Sequence, residues 1–412
     1  MKHLQLILLL FIVIYPIGSY GEDINMNLIK AVEENNAHTV NKLINLGADV
    51  NAKNNYGRTA LMLTAVDDRA ILANDLINGK AMMDIQDKNG STALMLAAKN
   101  GHKRMVKLLI YKGANIKLTN SHKETALIIA AKNGHNKIVK ELLKSGANID
   151  HEDLWERTAL MLAVHNDFTD TAMQLLDNKA QIDKKDSKGM TALMFASENG
   201  NEDIVKLLLE KGANINSEDK HGSTALFYAA KNNRIKTVKL LLERGANPNV
   251  ENIYHSTALI YATKKGNAQI VNLLIDGGAE VNAKQAHDIA ALVFAAEKGH
   301  DDVIKVLLDK GAKVNSKNKY GCTALMYAVK NGLTDIAKLL LERGASIDVK
   351  NNYGDTALMY AASNGYPSIV KLLIDSGAKV DIKTKSGYTA LNLAEKNRYA
   401  DVAMVLKEAG AK

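Results

Sequence analysis

The sequence predicts an all-α solenoid of about 12 stacked helix pairs with short β-hairpin or turn tips. Three observations predict it. Twelve leucines recur every 33 residues from Leu43 through Leu76 and Leu109 to Leu406 without a miss. A second set of twelve runs in the same step from Leu28 through Leu61 and Leu94 to Leu391. Thr-Ala-Leu holds the same phase at Thr59, Thr92, Thr125, Thr158, Thr191, Thr224, Thr257, Thr323, Thr356 and Thr389, with Ala290-Ala291-Leu292 in the one gap. Self-similarity at a fixed period means supersecondary units that bury their apolar faces against one another. Such a stack offers an extended binding surface rather than a single chemical centre.

Each element follows from one unit. Thr92 is placed to cap a short helix whose inward face is Leu94, Ala97 and Ala98, and its small alanines allow close helix approach. Asn100-Gly101 ends that helix, because glycine accepts the left-handed conformation of a C-terminal cap. The second helix, Lys103 to Tyr111, buries Val106, Leu109 and Ile110 at i, i+3, i+4 spacing. Gly113-Ala114 closes it, and polar residues from Asn115 to Lys123 lead to the next unit. The chain has 412 residues, 47% of them hydrophobic but only 5% aromatic, so the core must be aliphatic.

Residues 1–21 stand outside the period. Lys2 and His3 precede an uncharged apolar run from Leu4 to Tyr15, followed by Pro16 and the small residues Gly18, Ser19 and Gly21. This reads as a cleavable secretory signal with Ser19-Tyr20-Gly21 as its cleavage box. The apolar run is too short for a bilayer, which needs roughly 20 residues, so no transmembrane segment is expected after cleavage. The repeat domain then spans 22–412: an N-terminal capping pair at about 24–57, internal repeats at about 58–387 and a C-terminal cap at about 388–412. Cys322 is the only cysteine, so no internal disulfide can form, and its variable slot suggests a surface thiol.

These units resemble the ankyrin repeat, with its 33-residue length, Thr-Pro-Leu-His-x-Ala core, Gly-His between helices, Leu-Leu pair and Gly-Ala-Asp-Val-Asn ending. The resemblance covers about residues 24–412. Alanine replaces the proline throughout, and Met95, Met161, Met194, Met326 and Met359 stand where the family has histidine. Asp68, Asp167, Asn233 and Arg398 replace the interhelical glycine, while Lys80 and Lys179 replace the second one. A non-glycine residue at positive φ costs about 1 kcal/mol, so repeats 59–82 and 158–181 are expected to fray first. The resemblance implies a non-catalytic protein-interaction scaffold that binds through its tips and first helices on a concave face. The family is otherwise mainly intracellular, so an export signal points to a bacterial type, with the mature chain periplasmic or secreted.

The tip residue three places before each threonine is Tyr56, His122, Trp155, His221, Tyr254, His287, Tyr320 or Tyr353 in eight of eleven units. Exposed rings are favoured anchors, and Trp155 is the only tryptophan. Tyrosine, histidine and asparagine also suit a turn before glycine, so both readings stand. Lys99, Lys132, Lys231, Lys264 and Lys330 occupy one slot of the first helix. Five slots expected on that face hold fifteen basic and five acidic residues in a chain of formal charge +8. Such a field favours an acidic protein partner, although a solvated lysine-rich surface gives the same count.

Other classes fit less well. An anionic polysaccharide or a membrane surface is the alternative partner, since it suits both export and charge. Single-stranded nucleic acid is disfavoured, because rings once per unit sit roughly 10 Å apart, longer than a stacked base step. No phosphate-cradling loop or His-Glu-x-x-His segment occurs, and no cofactor or metal is expected. His102, His135 and His300 follow the interhelical glycine, where the family uses histidine structurally. The oligomeric state is not legible.

Overall fold

The computed structural model describes residues 17–285 and 289–412. Residues 1–16 of the expected signal, and His287, lie outside the described residues. Among the described residues there are 24 helices in alternation, first helices of seven or eight residues and second helices of nine after the opening pair. The opening helix, Ile17–Glu33, includes the end of the expected signal; it buries Leu28, Ile29, Ala31 and Val32, all beyond Gly21. The chain divides into two compact units, one ending at Ser187 and one starting at Lys188.

The periodic leucines form the core of each unit. Of the two sets of twelve, only Leu43 is half-buried, and all the others are buried. Burying one such side chain contributes about 1.5–3 kcal/mol, so the pattern alone supplies a large part of the driving force. Every Thr of the Thr-Ala-Leu set caps its helix, its Oγ1 accepting from the third helical amide, as at Met95 (3.3 Å) and Met359 (3.4 Å). Ala290 provides no side-chain cap. The amides of Thr191 and Thr356 donate to Met194 Sδ (3.5 Å) and Met359 Sδ (3.4 Å), and that of Thr389 to Asn392 Oδ1 (3.0 Å). Methionine therefore takes over part of the reciprocal contact that a histidine would make.

Polar ladders set the register between repeats. In the first unit the amides of Met82, Asn115 and Gln181 donate to the carboxylate or amide oxygens of Asn51, Asp84 and Asp150 (2.8–2.9 Å), each 31 residues earlier. The second unit repeats the bond from Asn247, Glu280, Lys313, Ser346 and Lys379 (2.7–3.1 Å). A second ladder runs between helix pairs. The Nε2 atoms of His102, His135 and His300 lie 2.8, 3.0 and 3.1 Å from the carbonyls of Val66, Lys99 and Lys264. Arg69 and Arg234 reach the same helix ends, at Glu33 (3.1 Å) and Glu198 (2.9 Å). These histidines cap the preceding repeat.

The tips are not β-hairpins, which corrects the sequence expectation. Pairing within a tip stops after one rung, as from Asp87 N–H to the Ser91 carbonyl (3.0 Å), because a side chain takes the next amides. Strand among the described residues is confined to Lys284–Gln285 against Ile289–Ala290, where Gln285 replaces that Asn or Asp, and a lone bridge from Lys53 to Thr59. Cys322 is also a correction: it is buried, with its amide bonded to Asn318 Oδ1 (3.0 Å).

Asp68, Lys80, Asp167, Lys179, Asn233 and Arg398 all adopt positive φ, between 56° and 68°. Lys123, Glu156 and His255 do so at the tips, where other repeats have glycine. Asp68→Gly and Lys179→Gly should therefore each raise stability, by about 1 kcal/mol for Lys179 and less for Asp68. Hydrogen exchange of the parent chain should show repeats 59–82 and 158–181 exchanging ahead of their neighbours in the first unit. Uniform protection, or glycine variants that melt earlier, would contradict this.

Candidate functional site

Most tips have an Asn or Asp five residues before the capping threonine, with Gln285 and Thr384 as the exceptions. Asp153 Oδ1 accepts from the amides of Trp155 (2.8 Å) and Arg157 (2.9 Å), and its other oxygen binds the Arg157 guanidinium at 2.7 Å. Asn54, Asn120, Asp219, Asn252, Asn318 and Asn351 hold Tyr56, His122, His221, Tyr254, Tyr320 and Tyr353 by the same amide bond at 2.8–3.0 Å. The side chain at that position is thereby turned outwards. Tyr56 is 72% exposed, Tyr353 64%, Tyr254 58%, Tyr320 45% and Trp155 43%; His122 and His221 are exposed as well.

Tips are joined backbone to backbone. In the first unit Lys88, Leu154 and Ser187 N–H donate to the carbonyls of Tyr56 (3.2 Å), His122 (2.8 Å) and Trp155 (2.9 Å). In the second, Ile253, Asn352 and Lys385 N–H donate to His221 (2.8 Å), Tyr320 (2.9 Å) and Tyr353 (3.0 Å). Rungs in register bring rings together: His122 stacks on Trp155 at 5.6 Å between centroids, and His221 on Tyr254 at 6.3 Å. Arg157 lies 4.6 Å over the Trp155 ring and Lys319 4.9 Å over Tyr320, which adds cation–π attraction.

The first-helix lysines differ in setting. Lys99, Lys231 and Lys330 are exposed, without an ion pair among the described residues, and Lys264 is half-buried. Lys132 is taken up by the buried Glu124 (2.9 Å), whose other oxygen accepts from Asn120 Nδ2 (2.8 Å). Lys99, Lys132, His122 and Glu124 line a groove of about 370 Å³ floored by Met95, Leu96 and Ile129, so tip and first helix share one face. Lys264 Nζ sits 4.7 Å from the Phe294 ring and 5.6 Å from Tyr261. Burial, then repulsion from Lys298, lowers its pKa below the ordinary lysine value, against a smaller opposing pull from Glu297.

Two features escaped the sequence reading. Leu154 (51% exposed) and Ile253 (59%) stand beside Trp155 and Tyr254, extending two tips with apolar surface. The second is a row four residues after the cap. It is aliphatic in the first unit at Leu63, Leu96, Ile129 and Leu162, but aromatic in the second at Phe195, Tyr228, Tyr261, Phe294, Tyr327 and Tyr360. The Tyr228 hydroxyl donates to Asp219 (2.6 Å), while those of Tyr327 and Tyr360 accept from Asn318 (3.0 Å) and Asn351 (2.9 Å). First helix and tip are thus tied together. Burial, with Cys322 next, pushes the Tyr327 and Tyr360 phenols up. The 33-residue step made this row legible, but it reads as core.

A family model described as ankyrin repeats (3 copies) matches residues 28–120, 68–153, 127–219, 212–285, 259–351 and 344–412. The chain belongs to the ankyrin-repeat family. No curated protein matches it. As an ankyrin-repeat array it is a non-catalytic protein-interaction module. Among the described residues no group of three His, Cys, Asp or Glu side chains could hold a metal ion, and no helix is long and apolar enough to cross a membrane.

The lowered pKa of Lys264 has a measurable consequence. As pH rises, Lys264 loses its proton below the ordinary lysine value of 10.5. Acetylation of Lys264 followed by peptide mapping across a pH series should give a midpoint below 10.5. A midpoint at or above that value would contradict the burial and Lys298 repulsion described.

Proposed function

We propose that this ankyrin-repeat protein binds an acidic partner protein through its tip rings and first-helix lysines, after export directed by residues 1–21. The observation that carries the reading is the joint order of the tips: the rings are exposed, yet the Asn or Asp turns and inter-tip bonds fix them. Fixed rings lose little entropy on binding, so their contact area is used efficiently. Lys99 lines the groove beside the His122 tip in the first unit, and the exposed first-helix lysines of each unit supply charge complementarity and steer encounter. Tyr56, His122, Trp155, His221, Tyr254, His287, Tyr320 and Tyr353 are assigned as ring contacts. Lys99, Lys231, Lys264 and Lys330 are the charge contacts, with Lys132 contributing only by sharing its ammonium with Glu124.

Export is tested by N-terminal sequencing of the protein made with its natural leader, which should begin at Glu22; an intact Met1 would contradict it. Binding is tested with the mature chain as bait against proteins of its own compartment. The expected result is a complex of fixed stoichiometry with an acidic protein, weakened about ten-fold or more by Trp155→Ala and by raised salt. Retention on sulfated polysaccharide or anionic vesicles, with no protein bound, would overturn the reading.

A further inference from the structure

The second unit carries a feature that the first lacks: an aromatic row whose rings hold lysine ammonium groups in place. Lys231 Nζ lies 5.7 Å over Tyr228, and Lys264 lies over both Tyr261 (5.6 Å) and Phe294 (4.7 Å). The Tyr228 hydroxyl is bonded to Asp219, which holds the ring beneath Lys231, and the Tyr327 and Tyr360 hydroxyls are tied in the same way to Asn318 and Asn351. In the first unit the same slot is aliphatic, and Lys99 has no ring beneath it while Lys132 turns to Glu124.

We infer that the second unit is a graded receptor for an extended acidic segment of the partner, one carboxylate at every third residue facing successive first-helix lysines. This rests on the acidic-partner reading above. Neighbouring first helices pack about 8–10 Å apart, and an extended chain advances about 3.3 Å per residue, so one repeat spans about three residues. The lysines come in that order at Lys231, Lys264 and Lys330, the repeat between the last two having Glu297 in the slot and Lys298 one residue on. The Tyr228, Tyr261 and Phe294 faces are already covered by ammonium groups, which disfavours sugar stacking there and leaves carboxylates as the fitting counterpart. The repulsion between Lys264 and Lys298, only partly offset by Glu297, marks a place where an added negative charge helps.

The test uses the full mature chain and three acetylated synthetic peptides of equal glutamate count, spaced every second, third or fourth residue by alanine and serine. At low salt the every-third peptide should bind about ten-fold tighter than the others. Lys231→Gln with Lys264→Gln should remove most of that preference, whereas Lys338→Gln, at an exposed position on a second helix, should leave it unchanged. Tyr261→Leu with Phe294→Leu, which copies the aliphatic slot of the first unit, should weaken binding while keeping both ammonium groups. A chain that unfolds in this last variant still leaves the lysine pair as the deciding arm. Equal binding of all three peptides, or equal loss from Lys338→Gln, overturns the receptor but leaves the acidic-partner reading standing. Binding of a sulfated polymer, with no peptide bound, overturns both.

Discussion

Everything on the candidate surface depends on a single short-range bond: the oxygen of an Asn or Asp that accepts the amide of the tip residue two places on. That bond closes the turn without a hairpin and frees the tip carbonyl to pair with the next repeat. The tip then becomes a rung rather than a loop. A single such bond contributes about 1 kcal/mol net. Its recurrence from Asn54 to Asn351 fixes the register on which the ring stacking of His122 on Trp155 and His221 on Tyr254 depends. Where Gln285 replaces the short side chain, the backbone falls back on a brief strand pair.

The period made the helix pairs legible because leucine and threonine have fixed jobs in every unit, burial for one and capping for the other. Tip geometry was harder to read. An Asn or Asp ahead of a glycine is compatible with a hairpin as well as with a side-chain-closed turn, and only the inter-repeat partner of the carbonyl decides between them. The ion pair of Lys132 with Glu124 was hidden for a related reason: eight residues separate them across a turn and a helix, a spacing no single element suggests. Cys322 looked exposed from the polar company its slot keeps elsewhere, but the tip closes over it. The aromatic row was visible as letters and invisible as surface, since a tyrosine among alanines and leucines reads as packing.

Backbone strain and exposed apolar side chains fall in the same places. Glu156 and His255 hold positive φ at the two tips that also expose Leu154 with Trp155 and Ile253 with Tyr254. Glycine would relieve the backbone there. The chain instead keeps side chains at those turns, in the two places where stacked rings and an exposed aliphatic group meet. Within each unit the tip bonds hold exposed rings in fixed places.

The central claim is that the Asn or Asp oxygen, not the neighbouring packing, orders the tip rings. Trp155, the only tryptophan, allows it to be measured directly by time-resolved fluorescence anisotropy. Asp153→Asn keeps the accepting oxygen and should leave the ring as immobile as in the parent chain. Asp153→Ala should add a fast, large-amplitude decay while the helical circular dichroism persists. An unchanged decay in a folded Asp153→Ala chain would contradict the account.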